Sequence, residues 1–354
     1  MAFDLDGLVR DNVRRMVPYS SARGEFGGTA RVYLDANENS FGSPVVGEYS
    51  RYPDPRQNEL KRRFAEVTRV DPNQIFVGNG SDEAIDLLIR IFCRPGIDNI
   101  IVCPPTYGMY EVAAELNDVS IRRVPLTPDF QLNVDALRDI VDEKTKLIFV
   151  CSPNNPTGNV IDRESILGIA RWFDGMVIID EAYIHFAGVA SLTCELRQFP
   201  NLVVLQTFSK AWGMAGLRVG LAIAQTAVIN LFDKVKPPYN VSQPAQHLVL
   251  KALKLEKRVG ETVSQIVNER ERLRSLMADL SIVRKVYPSD ANFLLVKVTT
   301  AKAIYKFLID NGVVVRDRSN VEQCEECLRI TVGTPSENRI LIETLRRYEK
   351  SVVY

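Results

Sequence analysis

The sequence has little cysteine, no excess of either charge and no long apolar run, and each shortage closes off a class of protein. Six cysteines in 354 residues are too few for a disulfide scaffold. Cys93, Cys103, Cys151 and Cys194 lie in or beside apolar segments and read as small core residues. Cys324 and Cys327 form a lone CxxC with no histidine nearby. Glu322, Glu325 and Glu326 around it disfavour a reactive thiolate, so no metal site is expected there. Lysine plus arginine and aspartate plus glutamate both number 44, which removes the electrostatic basis for binding nucleic acid or an anionic membrane. No apolar stretch approaches the roughly 18 residues that a membrane helix requires. The N-terminal Met1-Ala-Phe-Asp-Leu-Asp-Gly7 is acidic where a signal peptide is basic and then apolar. The expectation is a cytosolic protein.

What is present is the content of an ordinary folded chain, 46% hydrophobic and 25% charged, arranged as short apolar runs between helical stretches. Segments 74–77, 100–103, 147–151, 176–179, 202–205 and 217–224 read as strands. Ser81 opens a helix with Ile85, Leu88, Ile89 and Phe92 on one face, and 166–173 reads as another helix. Continuous apolar strands separated by helices indicate an α/β fold with a mostly parallel sheet covered on both faces. Pro237-Pro238 interrupts this pattern. A long charged helix is expected over about 243–280, with Arg270, Arg272 and Arg274 exposed. The remainder reads as strand 293–298, helix 301–310, strands 313–315 and 328–332, and helix 336–348, a smaller α+β unit. The expected division is an N-terminal segment, 1–42, that joins the small domain and the substrate site. A large domain follows over 43–245, then a linking helix and small domain over 246–354.

The residues able to do chemistry fall just beyond strand ends, where parallel α/β sheets bind ligands. Lys210 follows the strand at 202–205, among small and glycine residues in Thr207-Phe-Ser-Lys-Ala-Trp-Gly-Met-Ala-Gly-Leu-Arg218. A lysine on a tight, water-poor turn can lose its proton and form an imine with an aldehyde. Asp180 closes the strand at 176–179 and begins Asp180-Glu-Ala-Tyr183. Asn155 sits in Ser152-Pro-Asn-Asn-Pro-Thr-Gly158 after the strand at 147–151. Tyr107 follows the strand at 100–103 through Pro104-Pro105, and Gly78-Asn-Gly-Ser-Asp82 joins a strand to a helix N-terminus. Each alone is weak, since a single lysine at a strand end is usually a surface group and a strand-terminal aspartate is often only a cap.

The ordered set is more specific. It includes Pro18-Tyr19, Leu34-Asp-Ala-Asn-Glu-Asn39, Arg51-Tyr-Pro53, Gly80-Ser-Asp-Glu83, Ala215-Gly-Leu-Arg218 and Leu328-Arg-Ile-Thr-Val-Gly333. Over most of the chain it resembles the fold-type I, aspartate-aminotransferase-like enzymes that use pyridoxal 5'-phosphate, and among them the histidinol-phosphate aminotransferase branch. The resemblance implies that Lys210 holds the cofactor's aldehyde as an imine and then moves a proton at the substrate carbon. Asp180 pairs with the pyridinium nitrogen, Asn155 and Tyr183 hydrogen-bond the ring's phenolic oxygen, and Tyr107 stacks on the ring. The cofactor's phosphate lies at the helix opened by Gly80, Ser81 and Asp82, completed by Ser209 and Arg218. Asp82 and Glu83 would repel a phosphate and are expected to point away, leaving main-chain amides as donors.

Tyr52 matches a tyrosine that reaches the phosphate from the neighbouring subunit, which implies a homodimer with shared active sites. Arg329 matches the carboxylate-binding arginine, whose planar fork also takes a phosphate. Arg316 is the expected second anion contact, and Tyr19 and Asn155 complete the substrate contacts. The implied reaction is reversible transamination between L-histidinol phosphate and 2-oxoglutarate, giving imidazole acetol phosphate and L-glutamate, in histidine biosynthesis. Other readings stay open on the same scaffold: a broad aromatic or aliphatic aminotransferase, or a threonine-phosphate decarboxylase. More remote is a non-catalytic, cofactor-binding regulator, which would need a DNA-binding domain that this N-terminus leaves no room for. His185 and His247, the only histidines, read as packed or surface groups. Ser40-Phe41-Gly42 departs from the proline found in many relatives.

Overall fold

Apolar strands that are buried on both faces determine the architecture. The computed structural model describes residues 3–25, 30–47 and 49–352; the first two residues of the acidic N-terminus and the last two of the 246–354 range lie outside them. Seven strands form the central sheet: β1 (Ile75–Asn79), β2 (Asn99–Val102), β3 (Ser120–Arg123), β4 (Thr145–Cys151), β5 (Met176–Asp180), β6 (Leu202–Thr207) and β7 (Val219–Ala224). Their spatial order is β1-β7-β6-β5-β4-β2-β3, parallel throughout except that β7 runs against both of its neighbours. Successive residues face opposite sides. Val177 and Ile179 enter one apolar cluster while Met176 and Ile178 enter the other. Helices Asn58–Thr68, Arg163–Trp172 and Gln243–Leu253 cover the first face, and Gly80–Phe92, Met109–Leu116 and Thr226–Val235 cover the second.

β3 escaped the sequence reading because it is an edge strand carrying Arg122 and Arg123, the polar pattern that edges favour. The N-terminal segment also differs from expectation. Leu8, Val9 and Val13 pack into the second face of the large unit, and the Arg10 amide donates to the Ile91 carbonyl at 3.1 Å. Residues 8–13 therefore pack on the large unit. The expected helix over 243–280 is two helices, Gln243–Leu253 and Glu256–Ala278. Ala245, Val249 and Leu253 of the first point into the core under the central sheet, so the large unit continues past residue 245.

The second sheet is antiparallel, in the order β10-β11-β9-β8: β8 (Val283–Val286), β9 (Phe293–Val298), β10 (Arg316–Asp317) and β11 (Cys327–Thr331). Helices Glu256–Ala278, Ala301–Asp310 and Pro335–Val352 bury Leu273, Ile304, Leu308, Leu341 and Leu345 against it. The strand expected at 313–315 is displaced to Arg316–Asp317, because the Val313 amide closes the preceding helix on the Leu308 carbonyl at 2.8 Å. This shift matters for the site, since it sets Arg316 directly across from Arg329. Cys324 and Cys327 are buried against the large unit's cluster, and burial pushes their thiols up to about 12 and about 11. Cys194, read as a core residue, is exposed on a short turn, where its thiol donates to the Ser191 carbonyl at 3.1 Å.

Arg270, read as exposed, is 7% accessible. Its Nη1 donates to the Ala291 carbonyl at 2.9 Å and to the Phe186 carbonyl at 3.4 Å, tying the linking helix to loops of both units. Arg270→Ala leaves those carbonyls without their donor and is expected to lower the unfolding free energy by about 2–3 kcal/mol. Denaturant titration checks this, and a loss below about 0.5 kcal/mol would show that water replaces the guanidinium at no cost.

Candidate active site

The carboxyl ends of β4, β5 and β6 open into a cavity of about 370 Å³, closed on its far wall by β10 and β11. Its lining includes Gly80, Ser81, Asp82, Tyr107, Asn155, Asp180, Tyr183, Ser209, Lys210, Arg218, Arg316 and Arg329. The fold thus brings twelve of the fourteen residues singled out from sequence to one cavity. The other two, Tyr52 and Tyr19, lie elsewhere in this chain. Tyr52 is half-exposed and stacks on Tyr239 at 4.5 Å between ring centroids. Tyr19 lines a separate cleft beside Lys236 and Pro237, because the N-terminal segment docks on the large unit's outer helices.

Asp180 is the last residue of β5 and is 2% exposed. Tyr110 donates its hydroxyl to Oδ2 at 2.7 Å, and the Ala182 amide donates to Oδ1 at 3.1 Å. Tyr110 is held in turn by stacking on Phe149. No sequence signal marked Tyr110, since it reads as one more apolar helix position. Burial pushes the Asp180 carboxyl up to about 6, against these hydrogen bonds. The carboxylate form therefore predominates at neutral pH, and it faces a cavity that can receive a cationic ring nitrogen.

Lys210 sits on the turn after β6, closed by Gly213 N–H to the Lys210 carbonyl and Met214 N–H to the Phe208 carbonyl, both at 3.0 Å. It opens onto the cavity, with Nζ 5.6 Å from the Tyr183 ring centroid. Desolvation by the cavity walls, then the positive charge of Arg329, lower its ammonium's hold on the proton, while Asp180 opposes the shift. A lysine in this setting supplies neutral amine more readily than a surface lysine does.

The helix Gly80–Phe92 points its N-terminus into the same space, and the Asn79 side chain makes no capping bond to its first amides. Gly80 has φ +74, and a Cβ there would meet Arg218 Nη2 at 2.8 Å; one on Gly220 would meet the Ser81 amide nitrogen at 2.2 Å. Both positions must stay bare for backbone and guanidinium to converge. Arg218 itself is held at φ 52, a left-handed conformation that costs a non-glycine residue about 1–2 kcal/mol and that aims its side chain at the cradle. Its Nη1 donates to Ser209 Oγ at 3.4 Å.

Asp82 does not point away as expected. It accepts from Arg218 Nη2 at 3.2 Å and from the Tyr107 hydroxyl at 3.1 Å. Glu83 does turn back, accepting from the Asn79 amide. On the far wall, Arg329 Nη1 donates to Asn155 Oδ1 at 2.5 Å and its guanidinium lies 5.4 Å from the centroid of Phe293. Arg318, absent from the sequence reading, also lines this wall. Its signal was the two-residue spacing from Arg316, legible once 316–317 is known to be a strand. His185 lies outside the lining and packs edge-on to Trp212.

The cost of Asp180 can be measured. Its folded value near 6 exceeds the roughly 3.9 of an unfolded aspartate, so the folded chain binds this proton more tightly and stability falls as pH rises between the two. At pH 7 the buried charge costs the cofactor-free chain about 3 kcal/mol. Asp180→Asn is expected to be the more stable protein at pH 7 when cofactor-free, with the difference closing towards about pH 4. Denaturant unfolding across that range checks it, and a pH-independent difference would locate the effect in packing and not in charge.

Comparison with known proteins agrees with this geometry. The sequence matches the family described as aminotransferase class I and II over residues 36–345. It is 52% identical to the histidinol-phosphate aminotransferase of Parabacteroides distasonis, covering 97% of this chain and 98% of that protein. It is 49% identical to the same-named enzyme of Cytophaga hutchinsonii, covering 98% of this chain and 100% of that protein. The structure superimposes on a histidinol-phosphate aminotransferase from Sinorhizobium meliloti, solved in complex with pyridoxal-5'-phosphate, with a TM-score of 0.80, 25% identity and 90% of each chain covered. The chain belongs to the aminotransferase class I and II family, in the branch of its histidinol-phosphate aminotransferase relatives.

Proposed function

We propose that the protein is a cytoplasmic aminotransferase dependent on pyridoxal 5'-phosphate, moving an amino group reversibly between L-histidinol phosphate and 2-oxoglutarate. The observation that carries this reading is one cavity with a buried carboxylate and a deprotonation-prone lysine on the central-sheet wall and, on the other, arginines that have no carboxylate partner among the described residues. Among the described residues, no helix is long and apolar enough to cross a membrane.

The residues fit the cofactor. Asp180 would hold the ring nitrogen, Asn155 and Tyr183 the phenolic oxygen, and Tyr107 a ring face. Ser81, Ser209, Arg218 and the first amides of the helix Gly80–Phe92 would hold the phosphate in a cradle that only glycine permits at Gly80 and Gly220. When bound, pyridoxal 5'-phosphate supplies an aldehyde for amines and a ring that accepts electrons from the neighbouring carbon. Lys210 Nζ then acts as the acid and base, taking the proton from the substrate's amine-bearing carbon and returning it on the other side of the exchange. Asp180, carboxylate at neutral pH, keeps a proton on the ring nitrogen. Arg329 and Arg316 receive the substrate's anionic group, phosphate or carboxylate in turn. Asp82 would keep Arg218 and the Tyr107 hydroxyl in place from beside the cradle.

The proposal includes a homodimer in which Tyr52 enters the partner's phosphate cradle. Phe41, Val45, Val46, Tyr49 and Tyr52 support it as a run of exposed apolar and aromatic side chains around the loop that carries Tyr52. Light scattering should give twice the chain mass, and Tyr52→Phe should weaken cofactor retention about tenfold while the dimer persists. Unchanged retention would place Tyr52 outside the cradle.

The decisive experiment is a half-reaction. L-histidinol phosphate should bleach the visible absorbance of the holoenzyme, and excess 2-oxoglutarate should restore it. Lys210→Ala should lower turnover at least about 10³-fold. Steady-state comparison with phenylalanine and threonine phosphate tests the substrate, and a kcat/KM clearly higher for either would replace histidinol phosphate in the proposal.

A further inference from the structure

The wall made by the small domain carries more positive charge than one carboxylate requires. Arg316 and Arg318 are two residues apart, so both leave the same face of the edge strand. Arg329 is the cross-strand partner of Arg316, and the Arg318 amide donates to the Cys327 carbonyl at 2.9 Å, carrying the pairing one step beyond β10. All three arginines line the cavity. Asp317, between two of them in sequence, is turned to Ser319, accepting from its amide at 2.8 Å and its hydroxyl at 2.6 Å. Among the described residues no carboxylate forms an ion pair with Arg316, Arg318 or Arg329. The Nε of Arg318 is buried and has no hydrogen-bond partner. Desolvation and then the charges of Arg329 and Arg316 all work against the Arg318 cation. Like charges placed side by side on a sheet are destabilising, and a buried N–H without an acceptor adds to that cost. A cluster of this kind is stabilised by an anion with several acceptor oxygens.

We infer that Arg318 is a specificity-determining residue, binding the substrate's phosphate group beside Arg316 and Arg329 and favouring a phosphate dianion over a carboxylate. This rests on the function proposed above. A carboxylate offers two oxygens and one charge, which the single fork of Arg329 matches. A phosphate monoester offers three oxygens and a charge near −2, enough to engage a third guanidinium. Arg318 thus contributes to one of the two substrates that alternate in this cavity and leaves the other almost untouched.

The test compares holoenzyme of wild type, Arg318→Gln and Arg318→Lys. For Arg318→Gln, kcat/KM for L-histidinol phosphate should fall about 10- to 100-fold, mostly through KM, while that for L-glutamate changes less than about threefold. Arg318→Lys should recover part of the loss. Inorganic phosphate, as a competitive inhibitor, should weaken about tenfold in Arg318→Gln, with acetate unchanged, and the melting temperature without phosphate should not fall. Equal losses on both substrates, no loss on either, or a lowered melting temperature would overturn the inference. If wild type does not turn over histidinol phosphate, the proposed function fails, and the phosphate-against-acetate comparison still decides Arg318.

Discussion

A charged carboxylate held in the driest part of the molecule is the constraint around which the rest is arranged. Asp180 ends a strand whose every residue is buried, and only a hydroxyl and one amide compensate for the water it has lost. Such a group is tolerated because the sheet beneath it is apolar on both faces and covered by helices, so there is stability to offset the charge. The same burial makes it useful. In a low-dielectric setting its field on a ring nitrogen is far stronger than at the surface, and Tyr110, locked on Phe149, keeps it aimed. Lys210 is the complement, an accessible cation on the cavity wall whose hold on its proton is weakened by partial desolvation and by the charge of Arg329.

Much of this was legible because parallel strands are short apolar runs, and their carboxyl ends announce the next residues as site candidates. Asp180 is the first polar group after such a run, Lys210 and Asn155 follow theirs within five residues, and the cavity gathers all three. What was not legible depends on pairing across the chain. β3 carries charges on an exposed edge, so its pattern does not separate it from a loop. Arg270 lies in a charged helix, and the carbonyls of Phe186 and Ala291, distant in sequence, together with the Glu271 carboxylate make a buried position acceptable for it. Asp82 was expected to avoid the cradle on grounds of charge, and Arg218 and Tyr107 reverse that expectation by supplying donors. Arg318 could not be seen while the strand was placed at 313–315.

The cavity has two walls of opposite design. On the central-sheet side, Arg218 pairs with Asp82, and Asp180 accepts two hydrogen bonds that offset part of its burial. On the small-domain side, three guanidinium groups stand together and Asp317 looks elsewhere. Uncompensated charge costs stability in the free protein, so its presence is accounted for by the liganded one.

The two walls are not mechanically independent. Phe293, on β9 of the small sheet, meets Tyr183 edge-on at 5.2 Å between centroids and also lies under the Arg329 guanidinium. Tyr183 in turn faces Lys210, and Asn155 links the large unit to Arg329. The same seam contains Phe186, Ala211 and Ala291, packed with Val259, Val263, Ile266 and Val267 of the linking helix. Any rotation of the small sheet about this seam must carry the arginines with it and disturb the Tyr183 contact on the way. The arginine wall and the lysine are thus joined in space by one aromatic ring and one amide, a chain of contacts that lies outside the central sheet.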